Sequence, residues 1–187
     1  DHRDLHSFPT RRSSDLSRVS TTRTNGGMQT MGRLLVVGLN PPETSGLRTL
    51  QRIELARRLL GYETVDIRNL FASPTRSAVQ LAAIGSQPQG WLMARADLAD
   101  ELAHADGVLL AYGVRAPGGP ARRHFEEQVS WLDGVLNRAG LPVWLVGGAP
   151  RHPSRWQRYT HRSAPDKAFP DALRGALAAR GSAAFSD

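Results

Sequence analysis

Short continuous apolar runs, separated by stretches with helical spacing, constrain the fold of this chain more than any other feature. Residues 33–37 (RLLVV), 107–112 (GVLLAY) and 142–146 (PVWLV) read as strands, and 65–69 (VDIRN) as a weaker one. Between them, residues 47–60 carry apolar side chains at 47, 50, 53, 56, 59 and 60, the spacing of one helix face, and Gly61 follows as a stop. Residues 78–84 read as a short helix. A longer one spans 91–104 with Leu92, Ala96, Ala99, Leu102 and Ala103 turned inward, and a third spans 122–139 with Phe125, Val129, Leu132, Val135 and Leu136 on one stripe. A last helix, capped by Asp166 or Asp171, ends near Arg180. Strands with one wet face would alternate in polarity, whereas continuous apolar strands are covered on both faces. The predicted fold is therefore three-layer α/β/α with a central, mainly parallel, four-stranded sheet. Right-handed crossovers bring the carboxyl ends of all strands to one edge, where ligands bind in such folds.

Composition bounds what can be built on that frame. At 187 residues and 40% hydrophobic, the chain is long enough for one ordinary core and too short for two generous domains. The absence of cysteine rules out disulfides and thiolate metal sites and predicts a reducing cytoplasm as its location. No run approaches the roughly 18 apolar residues of a membrane-spanning helix, so no membrane is expected as a partner. Residues 1–32 have no apolar period and are crowded with Ser, Thr and Arg, and residues 5–16 (LHSFPTRRSSDL) resemble a translated sequencing adapter. That segment is expected to be disordered and artefactual, with the true start at Met28 or Met31. Removing its five Arg and three Asp lowers the formal charge from +7 to +5, so the basic balance survives. A single α/β domain is expected over 33–162, followed by a C-terminal helix and frayed tail over 163–187.

Two motifs more than a hundred residues apart meet at the predicted strand-end edge. Gly38-Leu39-Asn40-Pro41-Pro42 directly follows the first strand, and Arg151-His152-Pro153-Ser154 comes shortly after the fourth. Each sets a polar side chain on a proline-stiffened turn, so Asn40 and His152 are expected to face one cleft. The same edge collects Asn69 and Phe71, then Tyr112 and Gly113, then Gly147 and Gly148. Residues 151–162 hold Arg151, Arg155, Arg158 and Arg162 with two histidines, Trp156 and Tyr159, and no acid. A merely solvated face mixes both charge signs, so this segment predicts contact with nucleic acid or another polyanion. Phosphate-loop, dinucleotide-binding and serine-elbow patterns are absent, and no histidine pair has metal-ligand spacing beside a carboxylate. No metal and no cofactor is predicted.

Taken in order, Gly38-Leu39-Asn40-Pro41, Gly61-Tyr62, Asn69-Leu70-Phe71-Ala72, Ala111-Tyr112-Gly113 and Pro150-Arg151-His152-Pro153 resemble the bacterial and phage family called domain of unknown function 1643. The likeness spans roughly residues 34–159. One departure is plain: the family's Ser-Thr-Ala and Asp-Pro-Thr elements after Asn-Pro are replaced by Pro42, Glu43 and a shorter link to Arg48. More distantly, the layout is similar to the uracil-DNA glycosylase superfamily, with its Gly-x-Asn/Asp-Pro motif after one strand and His-Pro-Ser after a late one. That resemblance implies a water-positioning role for Asn40 and stabilisation of the departing base by His152. By location it implies Phe71 as the stacking aromatic and Asn69 as the reader of the base edge, with Gly38, Pro41, Tyr112 and Ser154 framing the base. Arg151, Arg155, Trp156, Arg158, Tyr159 and Arg162 are the expected nucleic-acid contacts. The partner implied is nucleic acid, DNA before RNA, or a nucleotide; oligomeric state is left open, with a monomer sufficient.

Cleaving an N-glycosidic bond develops positive charge on the sugar and negative charge on the base, which calls for held water on one side and a donor on the other. Each side chain also has a structural alternative: Asn40 bonding its own turn, His152 capping a turn, Phe71 in the core, Asn69 bonding a strand end. Three functions follow from the residues: an N-glycosidic hydrolase acting on a nucleobase, a noncatalytic nucleic-acid-binding module on the same scaffold, and an enzyme for free nucleosides or nucleotides.

Overall fold

The computed structural model describes residues 31–181; the expectations for residues 1–30 and for the end of the tail lie outside the described residues. In chain order come β1 (Met31–Gly38), α1 (Leu47–Leu60), β2 (Tyr62–Asn69), α2 (Ala78–Ile84), α3 (Gln89–His104), β3 (Gly107–Leu110), α4 (Ala121–Ala139), β4 (Val143–Val146), a 3-10 turn (Pro153–Arg155), α5 (Trp156–Ser163), α6 (Phe169–Ala176) and β5 (Leu177–Ala179). The sheet has five strands in the order β2-β1-β3-β4-β5, with every pair parallel except β4 with β5.

The apolar runs are covered on both faces, as their continuity requires. Leu35, Val37, Val108 and Leu110 pack with Leu81, Trp91, Leu98, Phe125, Leu132 and Leu136 from α2, α3 and α4. Their neighbours in sequence, Leu34, Val36 and Leu109, point the other way and pack with Ile53 and Ala56 of α1, Trp156 of α5 and Leu173 of α6. Each fully buried aliphatic side chain of this kind is worth about 1.5–3 kcal/mol of transfer free energy. β2 reads weakly as a strand because it is the edge strand: its charged residues Asp66 and Arg68 pair with Arg33 and Glu101 rather than entering a core.

Four expectations need correction. The sheet has a fifth strand, β5, which Leu177, Ala178 and Ala179 do not announce because nothing in them favours a strand; pairing with β4 imposes the conformation. β1 begins at Met31, inside the segment set aside by its composition. The inner face of α3 is Trp91, Ala94, Leu98 and Leu102, while Leu92 is exposed. The bulk of Trp91 sets this phase: its indole is fully enclosed, donates to Gly85 O at 2.8 Å and meets the Phe71 ring at 4.8 Å. Finally, the last helix, α6, ends at Ala176 with Ala168 at its N-cap and no side-chain cap from Asp166 or Asp171, because β5 takes the residues expected to carry it toward Arg180; residues 156–163 form a further helix, α5, on which α6 packs.

Candidate functional site

The strand order makes β1 the switch point: the chain leaves it to β2 on one side and returns to β3 on the other. In open α/β sheets the crevice for ligands lies at the carboxyl ends of the strands there. At that place a cavity of about 310 Å³ opens, lined by Gly38, Leu39, Asn40, Leu50, Ile53, Ile67, Asn69, Ala111, His152 and Pro153 among others. Asn40 and His152 thus share one hollow, although β1 and β4 are not neighbours. The segment after β4 reaches back over the tip of β3, where Gly113 N–H donates to Pro150 O. Gly113 takes φ +99°, which a glycine adopts without a Cβ penalty.

Asn40 is oriented from behind. Its Nδ2 donates to Pro41 O at 2.9 Å and to Thr75 Oγ1 at 2.9 Å, with Thr75 O at 3.4 Å. Thr75 is itself buried and forms an isolated parallel bridge with Pro42. These acceptors fix which end of the amide is nitrogen, so Oδ1 is the end left without a described partner and is available to accept from water. The turn-bonding alternative for Asn40 is therefore realised by one end of the amide and leaves the other free.

His152 is held by the turn it begins. Ser154 N–H donates to its Nδ1 at 3.2 Å, and Ser154 Oγ lies 2.9 Å from the same nitrogen. Because a backbone N–H can only donate, Nδ1 is the acceptor and the neutral ring carries its proton on Nε2. Burial pushes the imidazolium pKa down, and the positive charges of Arg155 and Arg52 push it further the same way, so the ring is neutral at pH 7. Arg52 also anchors the turn from α1, donating to Pro153 O at 3.0 Å and Gln157 Oε1 at 2.9 Å.

Asn69 lies across Gly38. A Cβ at Gly38 would stand 2.5 Å from Asn69 Oδ1, so glycine there makes room for the Asn69 amide on the cavity wall. Among the described residues no carboxylate lines this cavity; Glu43, on the neighbouring depression of about 640 Å³ that also contains Asn40 and His152, is held by Arg76.

Three of the expected ligand-facing aromatics are core residues instead. Phe71 is 1% exposed, seated over Gly90 and against Trp91. Trp156 is 0% exposed, with its indole N–H donating to Arg151 O at 2.6 Å. Tyr112 packs edge-on against Phe125, and burial, followed by the nearby Asp133 charge, pushes its phenol up to about 12. Their size makes them better core than platform. Tyr159 lines a second depression, but one face of its ring carries the Arg151 guanidinium at 4.1 Å. The walls available to a flat ligand in the 310 Å³ cavity are aliphatic: Leu39, Leu50, Ile53 and Ile67. Leu47 and Leu50, whose spacing placed them on the inner face of α1, are 60% and 46% exposed, Leu50 on the cavity lining itself.

That second depression, about 630 Å³, shares His152 with the cavity and is lined by Arg115, Arg151, Arg155, Arg158 and Arg162 with Gly113, Val114 and Tyr159. Among the described residues none of these five guanidiniums is in an ion pair, whereas Arg33, Arg57, Arg58, Arg68, Arg76, Arg123, Arg174 and Arg180 each face a carboxylate. Arg115 escaped the sequence reading because it sits alone on the loop after β3; only the fold brings it to the others. Pro41 and Ser154 flank the two key residues, Pro41 as an acceptor for Asn40 and Ser154 as the donor to His152.

A family model described as protein of unknown function (DUF1643) matches residues 19–154. The chain belongs to that family. No curated protein and no solved structure matches it. The DUF1643 match contains every residue lining the 310 Å³ cavity and ends at Ser154, at the start of the turn that leads into α5. Among the described residues no helix is long and apolar enough to cross a membrane.

Proposed function

We propose that the cavity between β1 and β3 receives a nucleobase of a nucleic-acid strand and that Asn40 and His152 hydrolyse its N-glycosidic bond. The observation that carries this reading is the pairing of an acceptor and a donor, Asn40 Oδ1 and His152 Nε2–H, in one hollow beside an unpaired arginine trough. The distant resemblance of Gly38-x-Asn40-Pro41 and His152-Pro153-Ser154 to uracil-DNA glycosylases, and the glycosylase-like fold it implies, support the same chemistry.

In that chemistry the C1′–N bond breaks with its electron pair leaving on the base. Water held by Asn40 Oδ1 forms the new C1′–O bond, and the proton it loses ends on the departed base. A neutral Nε2–H donor lowers the energy of the developing anion without first surrendering a proton. Because the sugar becomes cationic as the bond lengthens, weakly activated water suffices as nucleophile, which fits a cavity without a carboxylate. Asn69 reads the base edge, and the aliphatic walls take the stacking role that Phe71, in the core, does not. Extruding the base from its stack costs a few kcal/mol, for which the arginine trough supplies phosphate contacts.

Incubation with oligonucleotides bearing uracil and other damaged bases, followed by alkaline cleavage, tests the reading. Abasic product is expected, and Asn40→Ala and His152→Ala should each lower its rate by two orders of magnitude or more. The lack of a carboxylate beside Asn40 favours one second reading, a base-binding module without chemistry: salt-dependent oligonucleotide binding with no abasic product across the panel would establish that one and reject catalysis.

A further inference from the structure

Helix α5 presents sides of different character. At 3.6 residues per turn, Trp156 and Thr160 fall together and are buried. Arg155, Tyr159 and Arg162 fall on one flank, facing the trough that contains His152. Gln157 and His161 fall on the other flank, where a separate depression of about 570 Å³ is lined by Arg52, Ser154, Gln157, Arg158, His161 and Lys167, with Thr160 and Phe169 behind them. Arg158 lines both depressions and stands on the crest, opposite the buried side of the helix.

The 570 Å³ depression repeats the charge character of the arginine trough. Among the described residues no carboxylate lines it, and Asp166, next to Lys167 in sequence, is not on its wall. Among the described residues Arg52 is held there by neutral groups alone, Pro153 O, Gln157 Oε1 and the Phe169 ring 5.9 Å from its guanidinium. A guanidinium fixed in place without a counter-charge is preorganised for an anion from outside. Two such grooves back to back, with Arg158 common to both, concentrate positive potential along one line across the surface.

We infer that the depression on the far side of α5 is a second phosphate-backbone site, and that the bound strand crosses the helix at Arg158, gripped by the trough on one side and by Arg52 and Lys167 on the other. This rests on the proposal that the ligand is nucleic acid. It adds that the ligand is a strand of several nucleotides: a helix is about 10–12 Å across, and at roughly 3.4 Å per stacked nucleotide the crossing takes about three to four. A free nucleoside cannot reach both grooves.

Fluorescence anisotropy with a 15-nucleotide labelled oligonucleotide, as single-stranded DNA, RNA and duplex, tests this over a range of salt. Lys167→Glu is expected to weaken binding several-fold and to flatten the slope of log affinity against log salt by about 0.7–0.9, one phosphate contact. The trough variant Arg155→Gln/Arg162→Gln is expected to flatten it by about twice that. Arg138→Glu, an exposed cation on α4, is the control for net charge and should change neither quantity. If Lys167→Glu matches the unaltered protein while the trough variant loses affinity, or if Arg138→Glu weakens binding as much as Lys167→Glu, the second site is refuted and the base cavity is untouched. Failure of every probe to bind the unaltered protein would remove the nucleic-acid proposal along with it.

Discussion

Gln128 offers the sharpest test of how the site is held. It is 0% exposed on α4, and it joins three elements: its Nε2 donates to Leu70 O and Trp91 O, each at 3.0 Å, and its Oε1 accepts from Arg95 Nε at 2.8 Å. Leu70 follows Asn69 directly, so Gln128 fixes the end of β2 that delivers Asn69 to the cavity. Gln128→Met preserves length and volume and removes both donors. Leu70 O has no other donor among the described residues, and stranding a buried carbonyl costs about 1–3 kcal/mol. Trp91 O, in the first turn of α3, loses only an extra bond worth about 1 kcal/mol, and the Arg95 guanidinium can turn to water. The expected loss is about 3 kcal/mol, a fall in Tm of roughly 6–12 °C for a domain of this size. Gln128→Glu should be no milder, because a carboxylate cannot donate to either carbonyl and turns its charge toward both. Thermal and denaturant unfolding measure both variants. A Gln128→Met protein within 0.5 kcal/mol of the unaltered one would show that the β2 terminus is held without Gln128, by its backbone bonds to Gly38 and Leu39 and by packing.

Three further outcomes follow from the geometry. Thr75→Val keeps the shape behind Asn40 but removes the 2.9 Å acceptor for its Nδ2; it should cost about 1 kcal/mol of stability and lower the rate of abasic-product formation with little change in oligonucleotide affinity, checked by paired rate and binding titrations. The folded-state pKa of His152 lies below its unfolded value of about 6.5, so the unfolded chain binds more protons. Stability attributable to neutral His152 is then present above pH 6.5 and lost as pH falls below it, and denaturant unfolding at pH 5.2 and 7.5 should show a smaller difference for His152→Gln than for the unaltered protein. Arg115→Gln, on an exposed loop residue without an ion pair, should reduce oligonucleotide affinity and salt dependence while leaving Tm unchanged.

The layered α/β frame was legible because continuous apolar strands leave few alternatives: α1 and α2 have the boundaries their spacing predicts, and residues 34–37 and 108–110 are buried throughout. What escaped was decided by tertiary contact. β5 is a strand only because β4 offers it an edge, and α5 hides because Trp156 and Thr160 are its only fully buried residues. The phase of α3 was misjudged by leaving Trp91, its largest side chain, out of the pattern. Asn40, Asn69 and His152 were placed at the strand-end edge from motif and position, and all three line the one cavity. The aromatics were assigned by the same logic and went elsewhere, since position along the chain does not say whether a ring at a strand end turns inward. Arg115 carried no signal beyond its charge.

The placement of β3 between β1 and β4 bears on how the two halves of the site work together. β1 and β4 are not neighbours, so Asn40 and His152 do not hang on paired strand ends. Instead Asn40 is braced by Thr75 from the segment after β2, while His152 arrives on a loop tied to the tip of β3 by the Gly113–Pro150 bond and to α1 by Arg52. Asn40 and His152 are therefore positioned by different side-chain supports and converge on the cavity and the depression beside it. The arginine helix begins three residues after Pro153, on the same side as His152, so the strand grip proposed for it would bear on the His152 arm and leave the Asn40 arm fixed. Under the proposed chemistry, a site assembled this way separates its tasks: the β1 side would hold water whether or not ligand is present, and the β4 side would couple backbone binding to the placement of His152.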